Sequence, residues 1–343
     1  MKVRTRYYIG LDIHKKTISY CVKLPAGKIV EEGRFNATRT ELVLWLDALK
    51  RPCQVCMEAT MFTGWVYDTL LAHGVEARVG HPLKLKAITA GKRKNDTLDA
   101  RTLADLLRCD LFPACYMAPE NLRELRRVLR YRHTLVQMAT RMKNQASSML
   151  MELGIPYTKS KLHGKKYFKE LVESLTDIPG SVRQLLMLNH ESLQVFEERQ
   201  KWLLGQLKTH PDIMERVERL MTIAGVGPVT ALTWVLEIGE PQRFSNVKTA
   251  VSYCGLCSPQ VESAGVSKRC PLSRQRNKYL QSTLIEAAQL APRWNEKLTD
   301  VYKRETERGA NHNQATIAVA RKLVAYMLCV DKSGRGFEME NAA

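Results

Sequence analysis

From Tyr7 onward the apolar positions fall into runs of strand length: Tyr7–Ile13, Thr17–Val22, Lys28–Phe35, Gln54–Glu58 and Val75–Val79. Short turns such as Pro25-Ala26-Gly27 separate the first three runs, which predicts an antiparallel meander. Further along, the period lengthens to that of an amphipathic helix over Arg39–Leu49, Thr63–His73 and Asp96–Cys109. Three hairpin strands followed by alternating helices and strands is the order of an RNase H-like α/β domain, here assigned to residues 1–115.

Beyond this region long helices take over. Leu122, Leu125, Leu129, Val136, Ala139, Ala146, Leu150 and Leu153 recur at a spacing near 3.5, which predicts a coiled-coil helical region over 116–209. Arg123, Arg126, Arg127, Arg130, Arg132, Arg141 and Lys143 crowd its other faces and suit a polyanion. A second run over Val182–Leu207 is placed to return antiparallel, and the connection carries a basic loop ending in Lys165-Lys166. In the third region, 210–343, the segment Leu220-Met221-Thr222-Ile223-Ala224-Gly225-Val226-Gly227-Pro228 has the form of a helix-hairpin-helix. Gly225 and Gly227 permit a tight turn, and the first N–H groups of the second helix suit a phosphate oxygen; a plain turn between helices is the simpler reading. The expected whole is an α/β domain followed by mostly α regions.

Charge narrows the partners. The 343 residues carry 53 Lys+Arg against 35 Asp+Glu, a formal net charge of +18, which points to nucleic acid through release of its counterions. A membrane partner is not expected: no apolar run reaches the roughly 18 residues needed to span a bilayer, and the N-terminus lacks the order of a secretory signal. The nine cysteines form no convincing metal set. Cys53 and Cys56 are three apart in a strand and point to opposite faces, and Cys254/Cys257 lack a companion pair. Free thiols and a cytoplasmic location, at the nucleoid when DNA-bound, are the expectation.

Candidate chemistry begins with Asp12, a carboxylate inside the apolar strand Tyr7-Tyr8-Ile9-Gly10-Leu11-Asp12-Ile13. Glu58 ends a second apolar strand, and Asp96 and Asp99 open a helix on one face. Any one of them passes as a cap or turn residue. Together they form an oxygen-rich set suited to hard divalent cations, Mg²⁺ (two ions) with Mn²⁺ as the alternative, and so to phosphoryl transfer on nucleic acid. Downstream, the loop Ser258-Pro259-Gln260-Val261-Glu262-Ser263-Ala264-Gly265-Val266-Ser267-Lys268-Arg269 is rich in small and hydroxyl residues, with Arg274 and Arg276 close behind. Cations there suit a developing phosphate charge, but composition alone does not single out a serine.

The blocks Tyr-Ile-Gly-Leu-Asp12, Cys-Met-Glu58-Ala-Thr, Lys94-Asn95-Asp96-x-x-Asp99-Ala-Arg101, Ile-Ala-Gly-Val-Gly-Pro and Tyr-Cys-Gly255-Leu256, followed by the Ser263 loop, resemble the DEDD transposases of the IS-one-ten and IS-one-triple-one insertion sequences. The resemblance spans nearly the whole chain. It implies a RuvC-like N-terminal domain, a coiled coil and a C-terminal transposase domain. It also implies a recombinase guided by a non-coding bridge or seeker RNA that pairs with target and donor DNA. The family's metal-binding acids fall on Asp12, Glu58, Asp96 and Asp99, and its nucleophilic serine on Ser263. Ala264 precedes Gly265 where the family has Gly directly, which keeps Ser267 as a second candidate. Metals and serine in different domains imply self-association, a dimer or a dimer of dimers. The competing readings are a structure-specific RuvC-like endonuclease with water as nucleophile, and a non-enzymatic nucleic-acid scaffold.

Overall fold

The computed structural model describes residues 6–49, 52–88, 95–176, 178–258, 260–263, 266–269, 271–273 and 276–338, in two compact units, Met1–Glu120 and Asn121–Ala343. The first unit holds β1 (Tyr7–Ile13), β2 (Thr17–Lys23), β3 (Ile29–Asn36), α1 (Arg39–Asp47), β4 (Cys53–Glu58), α2 (Thr63–Ala72), β5 (Glu76–Gly80), α3 (Pro82–Ile88), α4 (Asp96–Arg108) and β6 (Ala114–Cys115). These strands form one sheet in the order β3-β2-β1-β4-β5-β6. The β1/β2 and β2/β3 pairs are antiparallel, and β1/β4 and β4/β5 are parallel. This arrangement is consistent with an RNase H-like domain. The strand pattern did not predict α3 or β6, which are too short to show a period of their own.

Alternation along the strands decides which side chains go to which face. Ile9, Leu11 and Ile13 of β1 join Cys53, Val55 and Met57 of β4 in a core sealed by Leu42 and Leu46 of α1 and Val66 and Leu70 of α2. Burying each of these leucines contributes about 1.5–3 kcal/mol. On the other face Cys56 meets Leu103, Leu106 and Leu107 of α4, with Leu85 and Phe112. Cys53 and Cys56 therefore lie in cores on opposite faces, as the strand period requires.

The second unit contains α5 (Glu120–Glu152), α6 (Lys165–Ser174), α7 (Gly180–Lys208), α8 (Met214–Met221), α9 (Pro228–Ile238), α10 (Val247–Tyr253), β7 (Gln260–Ser263), β8 (Val266–Arg269), α11 (Lys278–Leu290), α12 (Glu296–Glu307) and α13 (His312–Ser333). α5 and α7 run antiparallel: Gln200 donates to the carbonyl of Leu135 at 3.2 Å, and Lys143 pairs with Glu197 at 2.8 Å. At their far end Ala146, Leu150 and Leu186 close on Leu162, Phe168 and Val172. At the near end Leu129 and Leu207 join the core built on α9 and α13, where Trp234 is fully buried and its indole N–H donates to Asp331. Among the described residues no helix is long and apolar enough to cross a membrane.

Candidate metal centre and serine hairpin

Asp12 faces α4 because it lies two residues from Gly10 on the same strand face, and Gly10 brings that helix close. A Cβ on Gly10 would sit 2.1 Å from the Ala100 carbonyl oxygen and 2.6 Å from the Ala104 nitrogen, so only glycine allows α4 to lie directly on β1. Two ion pairs fix the helix along the strand. Arg101 holds Glu32 through two hydrogen bonds of 2.7 and 2.5 Å, and the buried Lys23 ammonium donates to Asp105 at 2.6 Å. At the start of the helix Asn95 is the cap, its side chain accepting from the Thr97 N–H at 3.1 Å. That leaves Asp96 and Asp99 free of capping duty in the first turn, where the helix dipole favours carboxylates.

The structure brings Asp12 and Asp96 together and adds a residue the sequence did not point to. His14 Nε2 lies 3.0 Å from Asp12 Oδ2 and 3.5 Å from Asp96 Oδ1, and one ligand atom from each residue falls within 4.8 Å of the others. Asp12 is the inner member at 15 % side-chain exposure, while His14 and Asp96 line the mouth at 54 % and 50 %. Burial pushes the Asp12 carboxyl above its usual range; His14 draws it down, and the Asp99 and Asp96 charges push it up again. Crowded carboxylates that raise one another in this way gain from a divalent cation, so the donor set fits one. Glu58 ends β4 one position beyond the pair Leu11↔Met57, which places it beside Asp12 on the neighbouring strand, and its carbonyl accepts from Thr63 Oγ1 at 3.0 Å. The only advance signal for His14 was its two-residue spacing from Asp12, just past the end of β1.

In the second unit Ser263 is the last residue of β7, paired with Val266, and Ser267 pairs with Glu262 in β8, which also carries Lys268 and Arg269. The hairpin rises from a stapled neck. Ser273 N–H donates to the Cys257 carbonyl at 3.1 Å, Asn277 N–H to that of Tyr253 at 3.3 Å, and Gln281 to that of Gly255 at 2.6 Å. Glu237 of α9 ties both ends: its backbone carbonyl accepts from the Tyr253 hydroxyl at 3.1 Å, and its carboxylate accepts from Asn277 Nδ2 at 2.8 Å. Gly255 itself takes φ of +73°, which glycine accommodates best.

Some of the cations expected on a nucleic-acid surface also pair within the unit. Arg130 donates two hydrogen bonds to the buried Glu237 carboxylate, at 2.7 and 2.8 Å, and stacks over the Tyr279 ring. Arg126 donates to the Leu236 carbonyl at 2.8 Å and approaches Glu237. Both guanidinium groups neutralise a charge inside the unit, with Arg130 still 42 % exposed and Arg126 18 %. Arg127, Lys165 and Lys166 are exposed, Arg123 is half-buried, and Arg276 donates to the Ser273 carbonyl at 3.0 Å. Arg274 lies outside the described residues. Helices α8 and α9 do form a pair around a glycine turn. Gly225 has φ of +96° and packs on Ala291, and Gly227 opens α9 with room around its Cα.

Residues 9–155 match the family DEDD_Tnp_IS110, described as a transposase, and residues 217–303 match a family described as Transposase IS116/IS110/IS902 family. Among curated proteins, the transposase for insertion sequence element IS1111A of Coxiella burnetii is 24 % identical over 92 % of this chain and 86 % of its own length. The transposase for insertion sequence element IS1328 of Yersinia enterocolitica is 24 % identical over 82 % of this chain and 83 % of its own. A pilin gene-inverting protein of Moraxella bovis is 25 % identical over 97 % of this chain and 98 % of its own.

Proposed function

Because the chain belongs to the IS110 family of insertion-sequence transposases and is thus a DNA-acting enzyme, we propose that it is an RNA-guided recombinase that cuts, exchanges and religates DNA strands with a RuvC-like metal centre and a serine nucleophile. The observation that carries the reading is the meeting of Asp12 and Asp96 ligand atoms at the C-terminal end of the interior strand β1, with Asp99 close enough to raise Asp12. Asp12, Glu58, Asp96 and Asp99 are the residues that would hold divalent cations, Mg²⁺ first. When bound, such cations neutralise charge on a scissile phosphate.

In this reading the Ser263 hydroxyl attacks phosphorus, one P–O bond to the DNA sugar breaks, and the departing sugar hydroxyl keeps the proton that serine gives up. One phosphoester replaces another, so religation is the reverse attack and needs no outside energy source. The likeness to a protein named for inverting a pilin gene supports strand exchange over simple cutting. The excess of cations, net +18, supports polyanion partners, which we assign to a guide RNA of the bridge or seeker type and to target and donor DNA. Metal and serine residues belong to different compact units of the chain, and we assign self-association, as a dimer or a dimer of dimers. The setting would be the cytoplasm, at the nucleoid.

A denaturing gel of the wild type on element-end DNA tests the central claim. The expected result is a protein-linked strand that disappears in Ser263→Ala and in Asp12→Asn/Asp99→Asn. Normal cutting by Ser263→Ala, with no linked strand in the wild type, would instead indicate a RuvC-like endonuclease with water as nucleophile. Sequencing of RNA that co-purifies with the chain tests the guide: one structured species encoded by the element is expected, and random cellular RNA would refute it.

A further inference from the structure

The meeting of His14 with Asp12 and Asp96 has no part in the four-acid arrangement, yet His14 is the residue that joins those two acids. Its Nε2 stands 3.0 Å from Asp12 Oδ2 and 3.5 Å from Asp96 Oδ1. Adjacent ligands on an octahedral cation with bonds of about 2.1 Å are separated by roughly 3.0 Å, and in a tetrahedral site by roughly 3.4 Å. All three donor atoms fall within 4.8 Å of one another, against roughly 4.2 Å across an octahedral shell with such bonds, so a small carboxylate rotation would bring the set onto one cation. His14 and Asp96 are each about half exposed and Asp12 is largely covered, so the three donors form a cup open on one side, where a bound cation would remain accessible to water or a phosphate oxygen.

We infer that His14 is a nitrogen ligand of the metal centre, which makes the site a mixed N,O site and tilts it from Mg²⁺ toward Mn²⁺ and later first-row ions. This rests on the reading of the Asp12 site as a divalent-metal centre. The chemistry is direct: Mg²⁺ takes oxygen donors and keeps its waters, whereas imidazole strengthens binding of transition ions in the Irving–Williams order. Asp12 is on β1, His14 follows directly after its last residue and Asp96 opens α4, so the cation would stitch the helix start to the sheet.

The test uses the full chain with Mn²⁺ as probe. Binding is followed by loss of the free Mn²⁺ electron paramagnetic resonance signal, and Mg²⁺ by competition. Electron spin-echo spectra of ¹⁵N-histidine-labelled and unlabelled protein report directly bonded nitrogen. The expected wild-type spectrum carries imidazole modulation that changes with the isotope. His14→Gln is expected to lose it, to bind Mn²⁺ about tenfold more weakly, and to change little toward Mg²⁺; unchanged far-UV circular dichroism shows that the variant is folded, and His14→Asn repeats the test in a second side chain. Mn²⁺ bound through Asp12 without nitrogen modulation, or modulation that persists in both His14 variants, overturns the inference and leaves the metal centre standing. No Mn²⁺ binding that Asp12→Asn weakens would remove the metal centre itself.

Discussion

Replacing Glu237 by Ala tests the second unit where its charge is most deeply placed. The carboxylate is 1 % exposed and accepts hydrogen bonds from Arg130 at 2.7 and 2.8 Å and from Asn277 at 2.8 Å, with Arg126 at 3.7 Å. Removing one partner of a buried pair costs about 3–5 kcal/mol, because the charge left behind is stranded. Arg130 is 42 % exposed and can turn to water, and Arg126, at 18 %, keeps the Leu236 carbonyl, so the lower end applies, about 3 kcal/mol. In a unit of this size each kcal/mol moves Tm by roughly 2–4 °C, giving a drop of about 6–12 °C. Thermal melts of the full chain followed by circular dichroism measure it, and Arg130→Ala alone and combined with Glu237→Ala completes a double-mutant cycle. A Tm within about 2 °C of wild type, or a coupling energy below about 0.5 kcal/mol, would refute the reasoning. Since the Glu237 carboxylate also holds Asn277 at the foot of the hairpin, formation of the proposed serine-linked strand should fall in the variant even well below its Tm, while the Tyr253 bond to the residue-237 carbonyl is kept.

Gly10→Ala would drive a Cβ into the backbone of α4, which no rotamer change relieves. We expect a loss of about 3 kcal/mol or more and Mn²⁺ binding weakened about tenfold or more, read by melting and metal titration; a variant with wild-type metal affinity would separate α4 from the site. For Asp105, burial pushes the carboxyl up, but hydrogen bonds from Lys23 and Arg108 outweigh it and hold it below the usual carboxylate range. That pairing stabilises the fold above the ordinary carboxylate pKa, near 3.9, and is lost as pH falls through the lower folded value. Asp105→Asn should therefore cost about 1–2 kcal/mol at pH 7, reduced from the fully buried case because Asp105 is 40 % exposed, and the gap to wild type should narrow as pH falls below the ordinary carboxylate range; a pH-independent gap in denaturant melts would count against the ion pair. Burial pushes the Cys254 thiol to about 12 and Cys56 well above its ordinary value, while Cys109 and Cys329 are exposed. Iodoacetamide at pH 8 should label Cys109 and Cys329 and spare Cys56 and Cys254 until the chain unfolds, as peptide mass spectrometry would show.

Much of the first unit was legible because its information is local. Period-two alternation named β1, β2, β3, β4 and β5 within a residue or so of their observed ends, and predicted that Cys53 and Cys56 part company. The same alternation put Asp12 on one face of its strand, and the helix-face rule put Asp96 and Asp99 together. Less of the second unit could be read. The seam on α5 was predicted through Val136, but the buried position is Leu135, because α7 and the α9 core set the direction from which the helix is covered.

What the sequence determined by itself is the kind of chain this is: the strand and helix order, the spacing of the acids and the Gly and Ser blocks, each set by backbone period and covalent neighbourhood. What only the tertiary structure decided is which partners those residues meet. His14 becomes a neighbour of Asp96 only because Gly10 lets α4 lie on β1. Arg126 and Arg130 stand on a helical wheel as two cations among many, and only the fold shows that they meet Glu237, more than a hundred residues away. The physical reason is the same in both cases: burial makes an unpaired charge costly, and the partner that removes the cost is chosen in space, where no periodicity along the chain records it.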